Sequence, residues 1–316
     1  MINYPDFFLV GAAKAGTTAL QQALDAHPSI YMSPLKEPNF FCDDILTSNL
    51  RADVKEKLAE DDIENWINSD MKSPRWRAYL RDKDLYLKLF NQASTTQKRG
   101  EASVSYLYSK TAAQNIYNAN PNAKIIIVLR NPAERAFSHF GMEQRMGWIN
   151  SDFNLAFEKY KEIKNPIWGR DLLFVASGLY TEQIRRYTDV FQKDNLCIIL
   201  YDEFKQSPEN TLAKIYTFIG VDLNDVDLSV ALRKSNEARD NKIEALNVLI
   251  PPGAFKLKVR RFLHKTRLHK TMKNLLTNPS TNIMSDDDRT MALNFYKDDI
   301  KNLEHLLNID LSIWKK

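Results

Sequence analysis

The stretch "FFLVGAAKAGTTALQQAL", Phe7–Leu24, decides the fold. Its first five residues are almost continuously apolar and bulky, the pattern of a strand buried on both faces, and "TTALQQAL" carries apolar residues at helical spacing. Between the two lie Gly11 and Gly16, spaced as in the nucleotide-binding loop G-x-x-x-x-G-K-[ST], but Thr17 takes the lysine's place and Lys14 sits inside the loop. A strand, a glycine turn and a helix leave unpaired backbone N–H groups aimed at one point, where the helix dipole also favours negative charge. Such a loop suits one terminal phosphate, held by the backbone of Ala15 and Gly16 and by the hydroxyls of Thr17 and Thr18. Lys14 is then placed to neutralise the oxygen that bridges the phosphate to a transferred group. The alternative is a strand-turn-helix corner whose glycines serve packing alone.

Two further runs repeat the pattern. "KIIIVL" at 124–129 and "LCIIL" at 196–200 read as buried parallel strands. The first leads into "NPAERAFSHFGMEQRMG", with Pro132 suited to a first helical turn and Gly147 to a stop. The second leads into "SPENTLAKIYTFIG", with Ser207 as N-cap and Gly220 as stop. Alternating strands and helices predict an α/β fold: one P-loop-like domain over 1–316, with a central parallel sheet flanked by helices and a ligand site at the carboxyl ends of the strands. Residues 45–95 are polar, charged and helical in pattern, too long for a plain loop, and read as a helical insertion lining an acceptor cleft. A basic region from Arg233 leads to a last helix that opens on acidic residues, as a helix N-terminus prefers.

Composition narrows the field. Lysine and arginine number 44 against 40 acidic residues, a net charge of +4 that is compatible with anionic ligands and demands none. Cys42 and Cys197 stand far apart without metal-ligand spacing, which predicts free thiols and a reducing compartment. No apolar run approaches the ~20 residues that cross a bilayer, and "MINYPDFF" lacks a signal-type core, so the expectation is a cytoplasmic protein without a transmembrane segment.

With these segments in hand, "FFLVGAAKAGTTAL" resembles the 5′-phosphosulfate loop of the sulfotransferase family, whose donor is 3′-phosphoadenosine 5′-phosphosulfate (PAPS). "IIIVLRNPAERAFSHF" resembles that family's 3′-phosphate segment, an arginine at the strand end and a serine eight residues on, which here are Arg130 and Ser138. A guanidinium offers a planar donor fork matched to phosphate, although Arg130 in isolation would serve equally as a structural ion pair. "SPLKEPNFF", Ser33–Phe41, resembles the motif of the branch that sulfates carbohydrates, heparan sulfate included, where the glutamate before the aromatic pair is the general base. That role falls on Glu37; the alternative is a pair with Lys36 or a cap before Pro38. "GEASVSYLYS" at 100–109 resembles a further family segment, with Val104 where proline is usual. In "RKSNEARDNK", 233–242, Lys234 and Arg239 are candidate ligands of the 3′-phosphate, with a solvated charged loop as the alternative.

The resemblance implies a PAPS-dependent enzyme that needs no metal and releases adenosine 3′,5′-bisphosphate (PAP). Its acceptor is a hydroxyl or amine, expected on a saccharide or glycoconjugate. The histidines, His27, His139, His264, His269 and His305, match no histidine base and read as structural or exposed. Two rivals stand beside this reading. One is a P-loop kinase using ATP and Mg²⁺, for which "CIILYDE" offers Asp202 and Glu203. The other is a non-catalytic module that binds acidic glycan or a membrane surface through the basic run Lys256 to Lys273, whose own alternative is a solvated helix face.

Overall fold

The structure is a computed structural model that describes residues 4–72, 75, 77–228, 232 and 283–315. Arg239, Lys234, His264, His269 and the basic run 256–273 lie outside the described residues.

A five-stranded parallel sheet forms the centre, in the order β2-β3-β1-β4-β5. The three strands expected from their apolar runs are β1 (Phe7–Gly11), β4 (Lys124–Leu129) and β5 (Leu196–Leu200). Two more, β2 (Ile30–Met32) and β3 (Lys98–Ala102), extend the sheet on the other side of β1. The register sets Phe8 opposite Glu101 on β3 and Ile125 on β4. Gly100 lets β3 lie against its neighbours, because a Cβ there would meet Phe7 Cζ at 2.2 Å.

After β1, α1 (Thr17–Asp25) leads to β2. The 45–95 segment contributes α2 (Ala52–Glu60), α3 (Ile63–Ile67) and α4 (Lys83–Lys88), helical as its pattern predicts. Beyond β3 come α5 (Ser105–Tyr108) and α6 (Ala112–Ala119). Helix α7 (Pro132–Arg145) follows β4, with Pro132 in its first turn and Asn131 Oδ1 accepting from the N–H groups of Ala133 and Glu134. Helices α8 (Phe153–Lys161) and α9 (Tyr180–Thr188) precede β5. After it, α10 (Tyr201–Gln206) breaks at Ser207 before α11 (Pro208–Ile219), which closes on Gly220 at φ 81°. The long α12 (Asp286–Leu307) packs on α7 and α9, its N-terminus capped by Ser285.

The chain runs from β1 outward to β2 and β3 on one side, then crosses to β4 on the other. The carboxyl ends of β1 and β4 therefore flank a topological switch point, the crevice where open α/β sheets bind ligands. Among the described residues no helix is long and apolar enough to cross a membrane, and both cysteines are buried free thiols.

Candidate active site

Three segments meet at this switch point. The first is the loop after β1, tied to β4 by Ala12 N–H donating to Val128 O at 2.7 Å. Ala15 N–H closes a turn on Ala12 O at 3.2 Å, and Gly16 forms the N-cap of α1. The N–H groups at the start of α1 have no partners one turn earlier, which makes this end the favoured place for an anion. Lys14 and Gly16 are both left-handed, φ 70° and 84°. For Lys14 that conformation costs about 1–2 kcal/mol, and Arg130 Nη1 meets its carbonyl oxygen at 3.3 Å. At Gly16 a Cβ would stand 2.9 Å from Tyr201 Cε2, so only glycine lets that ring approach the loop. Thr17 is buried and Thr18 exposed.

The second segment begins at the end of β4. Arg130 Nε and Nη2 reach Glu134 Oε2 at 3.4 and 3.3 Å, and the guanidinium carbon lies 5.0 Å from the centre of the Tyr201 ring. Glu134 Oε1 accepts from Arg289 of α12 at 3.1 Å. Arg130 thus meets an ion-pair partner, an aromatic face and the Lys14 carbonyl at once. Ser138 is half-buried one turn beyond Glu134, on the same side of α7.

The third segment is Ser33–Phe41, laid along the carboxyl end of β3. Ser33 N–H donates to Gly100 O at 2.8 Å and Glu37 N–H to Ala102 O at 2.9 Å. Glu37 and Asn39 are left-handed on either side of Pro38, φ 59° and 51°. Strain of this kind, on the order of 1–3 kcal/mol per residue, persists only where the surroundings over-determine it, as at active sites. Here Asn39 Nδ2 donates to the carbonyls of Glu37 and Ala78, both at 2.7 Å, and Asn39 Oδ1 accepts from Ser105 Oγ. Arg81 Nη1 donates to Asn39 O at 2.7 Å.

Glu37 does not pair with Lys36. Its Oε2 accepts from both Nε and Nη2 of Arg77 at 2.9 Å, while Lys36 Nζ donates to Thr18 Oγ1 on the first turn of α1. Neighbours in sequence therefore take different partners, Glu37 the guanidinium of Arg77 and Lys36 the first turn of α1. Burial, more than any neighbour, lowers the Lys36 pKa, with the Glu37 charge opposing and the Arg77 charge adding to the shift. Arg77 was not legible as a site residue, because its partner lies forty positions away with no shared period. The sequence offered an ion pair for Arg130 without naming its partner, although Glu134 stands four residues on, in the first turn of α7.

The remaining groups fall into supporting roles. His27 accepts from Ser29 N–H on Nδ1 and so donates from Nε2 to Asp222 O at 2.9 Å. His139 is buried with Nε2 3.4 Å from Glu143 and Nδ1 3.1 Å from Arg135. Burial first, then the charges of Arg135, Lys14 and Arg77, holds His139 well below its usual pKa. Asp202, offered above as a magnesium ligand, accepts from Trp314 Nε1 at 3.1 Å. Beside Arg77, Tyr79 OH accepts from Trp168 Nε1 at 3.3 Å, and the Trp168 ring lies 5.8 Å from that of Tyr108.

Comparison with known proteins bears on the family and the fold. A model described as the sulfotransferase family matches residues 5–225. The mouse bifunctional heparan sulfate N-deacetylase/N-sulfotransferase 4 is 25% identical over 227 residues, 69% of this chain but 22% of that protein. The chain thus spans about a fifth of that curated relative's length. A crystal structure of a sulfotransferase from Alicyclobacillus acidocaldarius shares 28% identity and the whole length of both chains, with a TM-score of 0.68. A retinol dehydratase crystallised with androsterone and inactive cofactor PAP has the same fold, with 17% identity, TM-score 0.51, and 95% of this chain matched to 82% of that one.

Proposed function

We propose a reaction for this chain from one premise: it belongs to the sulfotransferase family. The chain moves a sulfuryl group from PAPS to a hydroxyl or amine on a saccharide or glycoconjugate and releases PAP. The observation that carries this reading is that the Glu37 turn and the phosphate loop are joined through Lys36 and Thr18, while Arg130 contacts the Lys14 carbonyl from β4. A base, an anion cradle and a guanidinium thus surround one crevice.

In the proposed reaction Glu37 takes the proton of the acceptor as its oxygen or nitrogen forms the new bond to sulfur. The bond from sulfur to the 5′-phosphate oxygen breaks, and its electron pair stays on that oxygen. Lys14 stabilises the charge that collects there. Gly16, Thr17, Thr18 and the turn at Ala15 hold the 5′-phosphate, and Arg130 with Ser138 holds the 3′-phosphate. Arg239 lies outside the described residues and stays a candidate for the same phosphate. Arg77 keeps Glu37 aimed, and the half-buried rings of Tyr79 and Trp168 beside it suit the apolar face of a sugar. The heparan sulfate relative supports a saccharide acceptor. The same reading takes 1–316 as one domain in the cytoplasm, in keeping with two unpaired buried thiols.

The test is transfer of radiolabelled sulfate from PAPS to a panel of glycans, glycolipids and phenols in the presence of EDTA. Labelled saccharide supports the reading. Label only on phenols removes the saccharide, and phosphate transfer from ATP and Mg²⁺ in its place removes the reaction.

A further inference from the structure

Glu101, on β3, takes no part in the proposed chemistry, yet it is fully buried and heavily bonded. Its Oε1 accepts from Ser103 Oγ at 2.7 Å, and its Oε2 accepts from Tyr86 OH at 2.6 Å and Tyr106 OH at 3.1 Å. Two of these hydroxyls also face the turn that follows Glu37. Ser103 Oγ accepts from Asn39 N–H at 3.2 Å, and Tyr106 OH accepts from the N–H groups of Phe40 and Phe41 at 3.0 and 3.3 Å. A hydroxyl has one proton. Once that proton is given to Glu101, the oxygen presents only lone pairs to the backbone, so the carboxylate sets the direction in which both hydroxyls accept. Three consecutive N–H groups, 39 to 41, are satisfied through it. They adjoin the two left-handed residues Glu37 and Asn39, whose conformation depends on such bonds.

We propose that Glu101 is a positioning residue for the base: acting through Ser103 and Tyr106, its carboxylate holds the 37–41 turn in the conformation that aims Glu37 at the acceptor. This rests on the reading of Glu37 as general base. Protonation of Glu101 adds a donor that needs an acceptor among the three hydroxyls now donating to it, so one of them must reverse, and the turn loosens. Burial pushes Glu101 up to about 7, against the pull of its three hydroxyl donors. The ionisable groups facing it are Tyr86, Tyr106, Tyr187 and Cys42, each raised by burial and so neutral near that pH. Tyr4 lies beyond Tyr86, and Arg81, Asp44 and Arg186 stand at the edge of the cluster. The carboxylate form is the aligned one, so kcat is expected to fall as pH drops through about 7.

The experiment measures kcat and KM for sulfuryl transfer, and PAP affinity by calorimetry, from pH 5.5 to 8.5 in wild type, Glu101→Gln and Glu101→Asp. Glu101→Gln should lower kcat by roughly 10- to 100-fold, the scale of a misplacement of about 1 Å. It should also flatten the acid limb and leave PAP affinity within about twofold, since that affinity is assigned to other residues. Glu101→Asp keeps a carboxylate and should recover part of the rate together with the acid limb. Ser103→Ala, which removes one link and leaves the charge, should lower kcat in the same sense and serves if Glu101→Gln does not fold. Wild-type kcat and an unaltered pH profile in Glu101→Gln, or unchanged kcat in Ser103→Ala, would overturn the proposal. A fully active Glu37→Gln, by contrast, would remove the base assignment itself.

Discussion

Gly16→Ala perturbs the phosphate loop by a single carbon, and its cost can be worked from two features of the structure. Gly16 is left-handed, φ 84°, which costs an alanine about 1–2 kcal/mol. The new Cβ would also stand 2.9 Å from Cε2 and 3.1 Å from Cδ2 of Tyr201, and overpacking of this kind costs roughly 1–3 kcal/mol. The strain is relieved either by turning the Tyr201 ring, which lies against Arg130, or by moving the loop. Both displace groups assigned to the donor, so much of the cost should appear in PAP binding. At about 1.4 kcal/mol per decade, 2–4 kcal/mol is a loss of roughly 30- to 1,000-fold in Kd. Calorimetry with PAP reads the affinity, and a thermal melt reads whatever part destabilises the fold. In a Tyr201→Leu background the clash is relieved, and the cost of Gly16→Ala should shrink by about 1 kcal/mol or more, a coupling expected only of groups in contact. Wild-type PAP affinity and an unshifted melt in Gly16→Ala would refute the reasoning, because a loop that absorbs the carbon freely is no close-fitting cradle.

Three other outcomes follow from the same geometry. Glu37→Gln, which still offers Arg77 an oxygen, should lower transfer by about 10²- to 10⁴-fold while PAP affinity stays within about twofold, and single-turnover kinetics with calorimetry separates the two effects. Arg130→Ala removes the contact with Lys14 O and should weaken PAP by roughly 10- to 100-fold, the scale of charge-assisted hydrogen bonds of about 1.5–3 kcal/mol, as equilibrium titration would read it. Buried Glu143, raised to about 8, and Glu101, raised to about 7, bind protons in the native chain that the unfolded chain, with carboxyls near 4.5, has already released. Unfolding free energy should therefore fall as pH rises from about 4.5 to 8. Melts at pH 5.5 should exceed those at pH 8.5, Glu143→Gln should flatten the difference, and an upward trend would contradict the assignment.

What the sequence made legible follows from how each signal arises. β1 and β4 are buried almost throughout and β5, at the edge, is at least half-buried at every residue, so each reads as an apolar run. β3, "KRGEA", does not, because its buried residues include a glycine and the carboxylate of Glu101. That charge is tolerated in the core only through three hydroxyls, and Tyr86 among them lies fifteen positions away. β2 has just three residues, too few for any period to show. The start of α11 at Ser207 and Pro208 was legible, whereas α10 went unseen because six residues are too few for a helical period to show. At the site, Lys14, Gly16, Glu37 and Arg130 stood in local motifs with fixed spacing. The partners of Glu37 and Thr18 did not, since a guanidinium forty residues away or a lysine reaching across to α1 leaves no local pattern.

The central claim concerns the loop after β1, taken as a cradle for a lone 5′-phosphate beside a transferable sulfuryl group. Calorimetric titration with adenosine 3′,5′-bisphosphate in EDTA, beside a separate titration with ATP and Mg²⁺, tests it most directly. Stoichiometric binding of the bisphosphate without metal, weakened roughly 10- to 100-fold by Arg130→Ala, is the predicted result. No heat from the bisphosphate together with tight binding of ATP and Mg²⁺ would contradict it.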